Sequence, residues 1–540
     1  MTTEQRHQPL AAVSREAHWA WRAARLALPA IVMLVAVRLL VQLVDTFWWS
    51  IRCPYEIQYA EGGVLFDAVN IARGGHIYQN YRQYPFTIAS YTPLYPLLCA
   101  MGIKLFGVSF AFGRALSFAA AVAGAGLIGA TLRRMRMSLP ASAIAALLFL
   151  LAPTVHSCIV GRVDMTAAAL SLGALYCVVR GGRWLVAAAV LMMLASYTKQ
   201  ATLAAPAASV IYLMWVRERR NAVLLGAGWM AAVLVVFALL QVATDGWFYR
   251  HVVIANRNRW DLEGLLFVWA STLYWPMPFV LGAIGTGLAM SRRPRDPGAP
   301  GEIPAARVYP GRLCGLYFLF ALLISVTAGK VGAGANYLLE PLAGGCLISG
   351  LAYHWISHRT GSWHAKTAWV AVWAALTAMA VFAFANPHMQ ALNDRPRWRS
   401  ELVAEGNRVS AILRQTKGPV LCEVLGYLIT TGHPVLLEPS EMTQVFMDGD
   451  WDQRPLLRDI SRARFALIIV EWNPKAPVRD KWGTYGNRRW TQGMVQAILR
   501  SYRLVEKVGR LYIMAPRSSG RQGTGRPTSR PRSGTGLAAE

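Results

Sequence analysis

The chain has 540 residues, 55% of them hydrophobic and only 15% charged, whereas soluble domains carry about 25% charged residues. Its many continuous apolar runs of roughly 20 residues suit membrane-crossing helices and argue against a transmembrane β-barrel, whose strands alternate. The net charge of +27 would suit nucleic acid in a soluble chain, but here the basic residues cluster between apolar runs and in the C-terminal tail. Membrane orientation and anionic lipid therefore explain it better, and no nucleic-acid partner is expected.

Residues 1–25 hold several arginines and little apolar pattern, as a cytoplasmic N-terminus would. A first span over about 26–48 ends in a Phe47-Trp48-Trp49 belt and reads as an uncleaved anchor. The next stretch, 49–110, is too polar to cross a bilayer and too apolar for a simple linker. Within it, 62–73 has helical spacing ended by Gly74-Gly75, and 93–106 reads as a second short helix suited to the interface plane.

Further spans follow at about 111–131, 139–158, 164–179, 184–197, 201–216, 222–243, 265–290, 313–328, 338–353 and 367–384. That makes about eleven, so the termini fall on opposite sides. The basic turns after spans two, four, six, eight and ten then all face the cytoplasm, as the positive-inside rule requires. The polar motifs between the other spans share the opposite, extracytoplasmic face with the 49–110 loop.

From 386 the composition becomes that of a soluble domain. Helices over 401–415 and 494–500, with strands over 420–424, 434–437, 465–470 and 511–514, predict a small extracytoplasmic α/β domain ending near 515. The tail, 516–540, is rich in Gly, Ser, Pro and Arg and is expected to be disordered.

Chemistry concentrates at the polar breaks. Glu61 sits at the membrane surface, where a partly buried carboxylate can act as a general base; a carboxylate at a helix start also simply complements the helix dipole. Asp164 either caps span four or orients a substrate or a cation, and Arg162 beside it can pair with it or hold a phosphate. Lys199-Gln200 interrupts a long apolar stretch, a costly position that points to function as well as to snorkelling. Lys330 precedes glycines at 332 and 334, a cation beside permissive backbone that suits an anionic headgroup. Asn336, Tyr337 and Glu340 then open span ten. The seven cysteines show no metal spacing, and sequence does not decide whether Cys53 and Cys422 pair.

The run Glu61-Gly62, then Gly74-Gly75-His76-Ile77-Tyr78, then Tyr91-Thr92-Pro93-Leu94-Tyr95 resembles the first extracytoplasmic loop of GT-C superfamily glycosyltransferases. It is most similar to the bacterial branch of protein mannosyltransferases and aminoarabinose transferases. Arg162-Val163-Asp164, Lys199-Gln200, Gly329-Lys330 and Asn336-Tyr337 resemble that branch's later loops, and the similarity covers roughly 26–385.

The resemblance implies a polytopic α-helical transferase of the inner membrane. It would move a sugar from a polyprenyl-phosphate donor to a glycan, lipid or protein acceptor at the outer face, by an inverting mechanism. Glu61 would activate the acceptor, Asp164 would orient it or a divalent cation, and Arg162, Lys199 and Lys330 would bind the lipid phosphate. Gln200, Asn336, Tyr91 and Tyr337 would complete the substrate site. Many members carry an Asp-Glu pair in the first loop, whereas Ala60 precedes Glu61 here, which leaves Glu56 and Asp67 as competing bases. A lipid or solute transporter, or a non-catalytic assembly partner, are the alternatives. A transporter predicts inverted repeats and broken helices at mid-membrane, whereas the polar motifs here gather at one face.

Overall fold

The computed structural model describes residues 8–291, 310–358, 363–385 and 395–517. The expected disordered tail lies, but for its first two residues, outside the described residues.

Each predicted span corresponds to a helix or a helix pair. In order these are α1 (Gln8–Arg52), α4 (Ala111–Arg134), α5 with α6 (Leu139–Leu150, Pro153–Cys158), α7 (Asp164–Arg180), α8 (Trp184–Ser196), α9 (Ala204–Trp215) and α10 (Arg219–Ala243). After a short helix α11 (Trp247–Tyr249) come α12 with α13 (Leu262–Ala270, Pro276–Ser291), α14 (Pro310–Ser325), α15 (Leu339–Ser357) and α16 (Trp363–Ala385). The helices α2 (Ala60–Ala72) and α3 (Leu94–Phe106) fill the first loop.

Length separates these helices. Among the described residues, four helices are long and apolar enough to cross a membrane, or five if α12 and α13, bent by 99°, are one span. Helices of 12 or 13 residues such as α5, α8 and α9 reach only about 20 Å against a hydrocarbon core of about 30 Å. Proline accounts for two of the breaks: Pro153 opens α6 and Pro276 opens α13, where a continuing helix would lose a hydrogen bond.

One apolar cluster, including Ile128, Phe149, Leu172, Tyr317 and Cys346, ties the bundle together. Close approach depends on small residues in α15. A Cβ on Gly345 would stand 2.2 Å from the Pro278 carbonyl oxygen, and one on Gly344 would stand 2.9 Å from the Phe318 backbone. Glycine at both places lets α15 lie directly against α13 and α14. At one end of the bundle the turn after α4 meets the end of α15, where Ser138 N donates to His354 Nδ1.

The last quarter of the chain is an α/β domain. Its helices are α17 (Arg395–Gln415), α18 (Leu425–Thr431), α19 (Pro439–Met447), α20 (Arg454–Ser461) and α21 (Gln492–Ser501). Its strands are β1 (Val420–Cys422), β2 (Leu467–Val470), β3 (Tyr502–Val508) and β4 (Leu511–Pro516), in sheet order β1-β2-β4-β3. The first pair is parallel and the others antiparallel. Two sequence expectations are corrected here. Residues 434–437 form no strand, only an isolated bridge from Leu437 to Phe86 in the first loop. The strand β3 was not expected, because Arg503, Glu506 and Lys507 interrupt its apolar pattern. All seven cysteines are free and buried, so Cys53 and Cys422 do not pair.

Candidate active site

The polar breaks converge by backbone hydrogen bonds. Leu94 N donates to the Tyr197 carbonyl at 2.9 Å, tying the start of α3 to the break after α8. Gln200 Nε2 and Asn256 Nδ2 both donate to the Ser90 carbonyl, at 3.1 and 3.0 Å. Val331 N donates to the Arg259 carbonyl and Asp261 N to the Gly329 carbonyl, pairing the 256–261 stretch with the Lys330 turn.

The α/β domain closes over this assembly from the first loop. Phe86 N donates to the Leu436 carbonyl and Glu438 N to the Phe86 carbonyl, each at 2.9 Å. Glu438 Oε2 accepts from Ile88 N at 3.1 Å, and Glu56 Oε2 accepts from Gly426 N at 2.9 Å. Tyr81, Phe86 and Ile88 are buried in one apolar cluster with Trp451, Met442 and Trp490.

Between loop, bundle and domain lies a cavity of about 670 Å³. Seven residues singled out from sequence line it: Tyr91, Arg162, Lys199, Gln200, Lys330, Asn336 and Tyr337. Asp164 lies behind this wall. Its Oδ1 accepts from Lys199 Nζ and from Asn336 Nδ2, both at 2.7 Å, and its Oδ2 stands 3.1 Å from Arg162 Nε as an ion pair without hydrogen-bond geometry. Two cations thus share one buried carboxylate, which leaves a net positive charge facing the cavity. Lys199 Nζ also sits 4.5 Å from the centre of the Tyr337 ring, a favourable cation–π distance. Lys330 Nζ has only a 3.3 Å hydrogen bond to the Asn256 carbonyl.

Glu61 is elsewhere. Both its side chain and that of Arg114 are fully buried, and all its lone-pair directions are occupied. Oε1 accepts from Arg114 Nε at 2.8 Å and Gly161 N at 2.7 Å; Oε2 accepts from Arg114 Nη2 and Ile57 N, both at 2.8 Å, and from Gln58 N at 3.3 Å. Burial alone would raise its pKa, but the Arg114 guanidinium and these donors hold it below the usual glutamate range. Gly161 is needed for this approach, since a Cβ there would stand 3.3 Å from Glu61 Oε1. Glu56 and Asp67 are also buried away from the cavity, and burial raises both carboxyls, Glu56 to about 8. Among the described residues no group of three His, Cys, Asp or Glu is placed to hold a metal ion.

Sequence reasoning gives the α/β domain the part of covering the site or recognising the acceptor but names none of its residues. Ser440, Glu441 and Gln444 from α19, and Asn487 and Arg488 from the turn before α21, also line the cavity. Gly486, Asn487 and Arg488 are all left-handed, with φ of 60°, 53° and 71°. Such backbone costs about 1–3 kcal/mol per non-glycine residue and persists only where its surroundings impose it. The turn is anchored just beyond, where Arg489 pairs with Glu423 and Glu471 and lies over the Tyr59 ring, and Trp490 Nε1 donates to Glu423 Oε2. Only a lone Gly-Asn dipeptide marks this turn in the sequence.

No family model and no curated protein matches the sequence. Solved structures do. ArnT from Cupriavidus metallidurans bound to undecaprenyl phosphate superposes with a TM-score of 0.59 and 15% identity, over 90% of this chain and 98% of that one. The same protein in the apo state gives 0.57 and 14%, over 89% and 97%. The Archaeoglobus fulgidus oligosaccharyltransferase in complex with Zn and sulfate gives 0.50 and 12%, over 87% of this chain and 71% of that one. The chain shares the fold of these structures, a bundle of apolar helices capped by a C-terminal domain with a small sheet.

Proposed function

We propose that the protein is an inner-membrane GT-C glycosyltransferase. It transfers a sugar from a polyprenyl-phosphate donor to an extracytoplasmic glycan, lipid or protein acceptor. One observation carries this reading: Arg162, Lys199 and Lys330 face a single cavity at the junction of membrane helices, first loop and α/β domain. A lipid-linked phosphate has its charge at the membrane surface, where such a cluster meets it. That ArnT, with the same fold, has been seen with undecaprenyl phosphate bound supports this donor class.

Each residue then has a physical task. Arg162, Lys199 and Lys330 bind the donor phosphate and stabilise the negative charge that grows on it as the sugar leaves. Asp164 and Asn336 hold Lys199 in place. Tyr91, Tyr337 and Gln200 line the sugar's position. Glu61 is a positioning residue, because its oxygens are committed to Arg114 and the 57–58 and 161 backbone, and it anchors the first loop to α4. The 26–385 bundle holds the donor, the 386–515 domain covers the site, and both open to the extracytoplasmic side.

The test is a transfer assay with purified full-length protein in nanodiscs, a radiolabelled sugar on undecaprenyl phosphate, and membranes of the producing cells as acceptor source. Label moving to acceptor, lost in Lys199→Ala, supports the reading. Vesicle-to-vesicle movement of the intact lipid without transfer of its sugar supports a flippase instead.

A further inference from the structure

A transferase that attacks with a hydroxyl needs a group to take its proton. The carboxylates expected to do so are committed or remote. Glu61 is saturated by five donors, and Asp164 lies behind Lys199 and Asn336. Glu438 is 93% buried with Oε2 bound by Ile88 N. Among the described residues, Glu441 is the one carboxylate that lines the cavity.

Glu441 sits in the first turn of α19, brought there by the Phe86–Glu438 backbone pairing three residues before it. Its Oε2 is closed off from solvent and has no hydrogen-bond partner. It lines the same cavity as Arg162, Lys199 and Lys330, the cations assigned to the donor phosphate.

We propose that Glu441 is the general base of the transfer, supplied by the soluble domain and not by the first loop. This rests on the transferase reading above. The acceptor hydroxyl gives its proton to a Glu441 oxygen as its own oxygen forms a bond to C1 of the sugar. The C1–O bond to phosphate breaks with its electron pair, which stays on the departing polyprenyl phosphate beside Arg162, Lys199 and Lys330. The proton is later released to water, so the enzyme returns unchanged.

Burial raises the Glu441 carboxyl above the usual range, against its own backbone N–H and Arg489. The charged or titratable groups facing it are Tyr59 and Asp67 from the first loop, Glu438 from its own segment and Arg489 from the 486–489 turn. A base titrating nearer neutrality suits proton transfer at working pH.

The experiment compares wild type, Glu441→Gln, and Glu441→Ala with and without added formate, in the nanodisc assay above. Glu441→Gln is expected to lower kcat by about a hundredfold or more, to leave the affinity for undecaprenyl phosphate unchanged, and to abolish the acid limb of the pH–rate profile. Formate is expected to restore part of the Glu441→Ala rate. Retention of near-wild-type kcat in Glu441→Gln overturns the proposal. So does a Glu441→Ala variant that ignores formate and melts earlier, which gives Glu441 a structural role. Absence of transfer in the wild type overturns the transferase reading itself, a result recognisable because every variant is then alike.

Discussion

Arg114 donates to both oxygens of Glu61 at 2.8 Å, and its remaining N–H groups reach the carbonyls of Ser50, Cys53 and Tyr55 at 2.7 Å. One guanidinium thus fixes the end of α1, the start of α2 and the first turn of α4. Removing one partner of such a pair strands a buried charge and typically costs about 3–5 kcal/mol. Glu61→Gln is therefore expected to lower the melting temperature in detergent markedly. A catalytic base would behave differently: its amide variant would melt as the wild type does and lose only turnover.

Lys199 is held by Asp164 at 2.7 Å, so its charge is pre-positioned. A hydrogen bond to a charged group contributes about 1.5–3 kcal/mol, which corresponds to roughly a tenfold to hundredfold change in affinity. Lys199→Ala should weaken undecaprenyl phosphate binding by that factor. Titration in nanodiscs measures this, and the loss should shrink at high salt if the interaction is electrostatic.

Glu56 gives a pH dependence with a defined sign. Its folded-state pKa is raised to about 8, first by burial and then by Glu61, with the Gly426 backbone N–H opposing. The unfolded chain titrates near 4.3. Folding therefore favours the protonated form: the stability this gives is complete below the unfolded pKa and is lost as pH rises towards 8. Glu56→Gln keeps an acceptor for Gly426 N without a charge, so it should lose less stability than wild type between about pH 5 and 8. Parallel melting curves across that range would refute the assignment.

Phe86 is 1% exposed and packs its ring 5.2 Å from that of Trp451. Phe86→Ala should cost about 3–5 kcal/mol. Because the same residue pairs with Leu436 and Glu438, the loss should appear as opening between loop and α/β domain. Hydrogen exchange at Phe86 and Glu438 amides is expected to rise while that of α7 stays protected.

The bundle was legible because apolar runs of helical length announce themselves, and each of the eleven runs is a helix or helix pair. The number that cross was not, because α5, α8 and α9 stop short at Leu150, Ser196 and Trp215 within runs that read as continuous. Of the seven expected residues that line the cavity, Lys199 and Gln200 stand out as polar residues in an apolar stretch, whereas Tyr91 and Tyr337 rest on the family resemblance. Glu441 and Arg488 were not legible, since a glutamate and an arginine in a soluble domain look ordinary, and only long-range pairing with the first loop brings them to the cavity. Glu61 carried the opposite lesson. Its position at a membrane-surface loop suggested chemistry, and nothing local to it revealed that Arg114, 53 residues away, would occupy it.

The hydrogen bond from Ile88 N to Glu438 Oε2 joins positions 350 residues apart. At synthesis rates of about 5–20 residues per second, the first loop exists for roughly 20–70 seconds before its partner emerges. During that interval Tyr81 can pack on Trp247 and His251, but Phe86 lacks the Trp451 ring. The chamber thus closes only after the 436–488 segment has been made. A chain made only as far as Asn336 has the cations but neither the roof nor Glu441, and its Phe86 side chain still awaits Trp451.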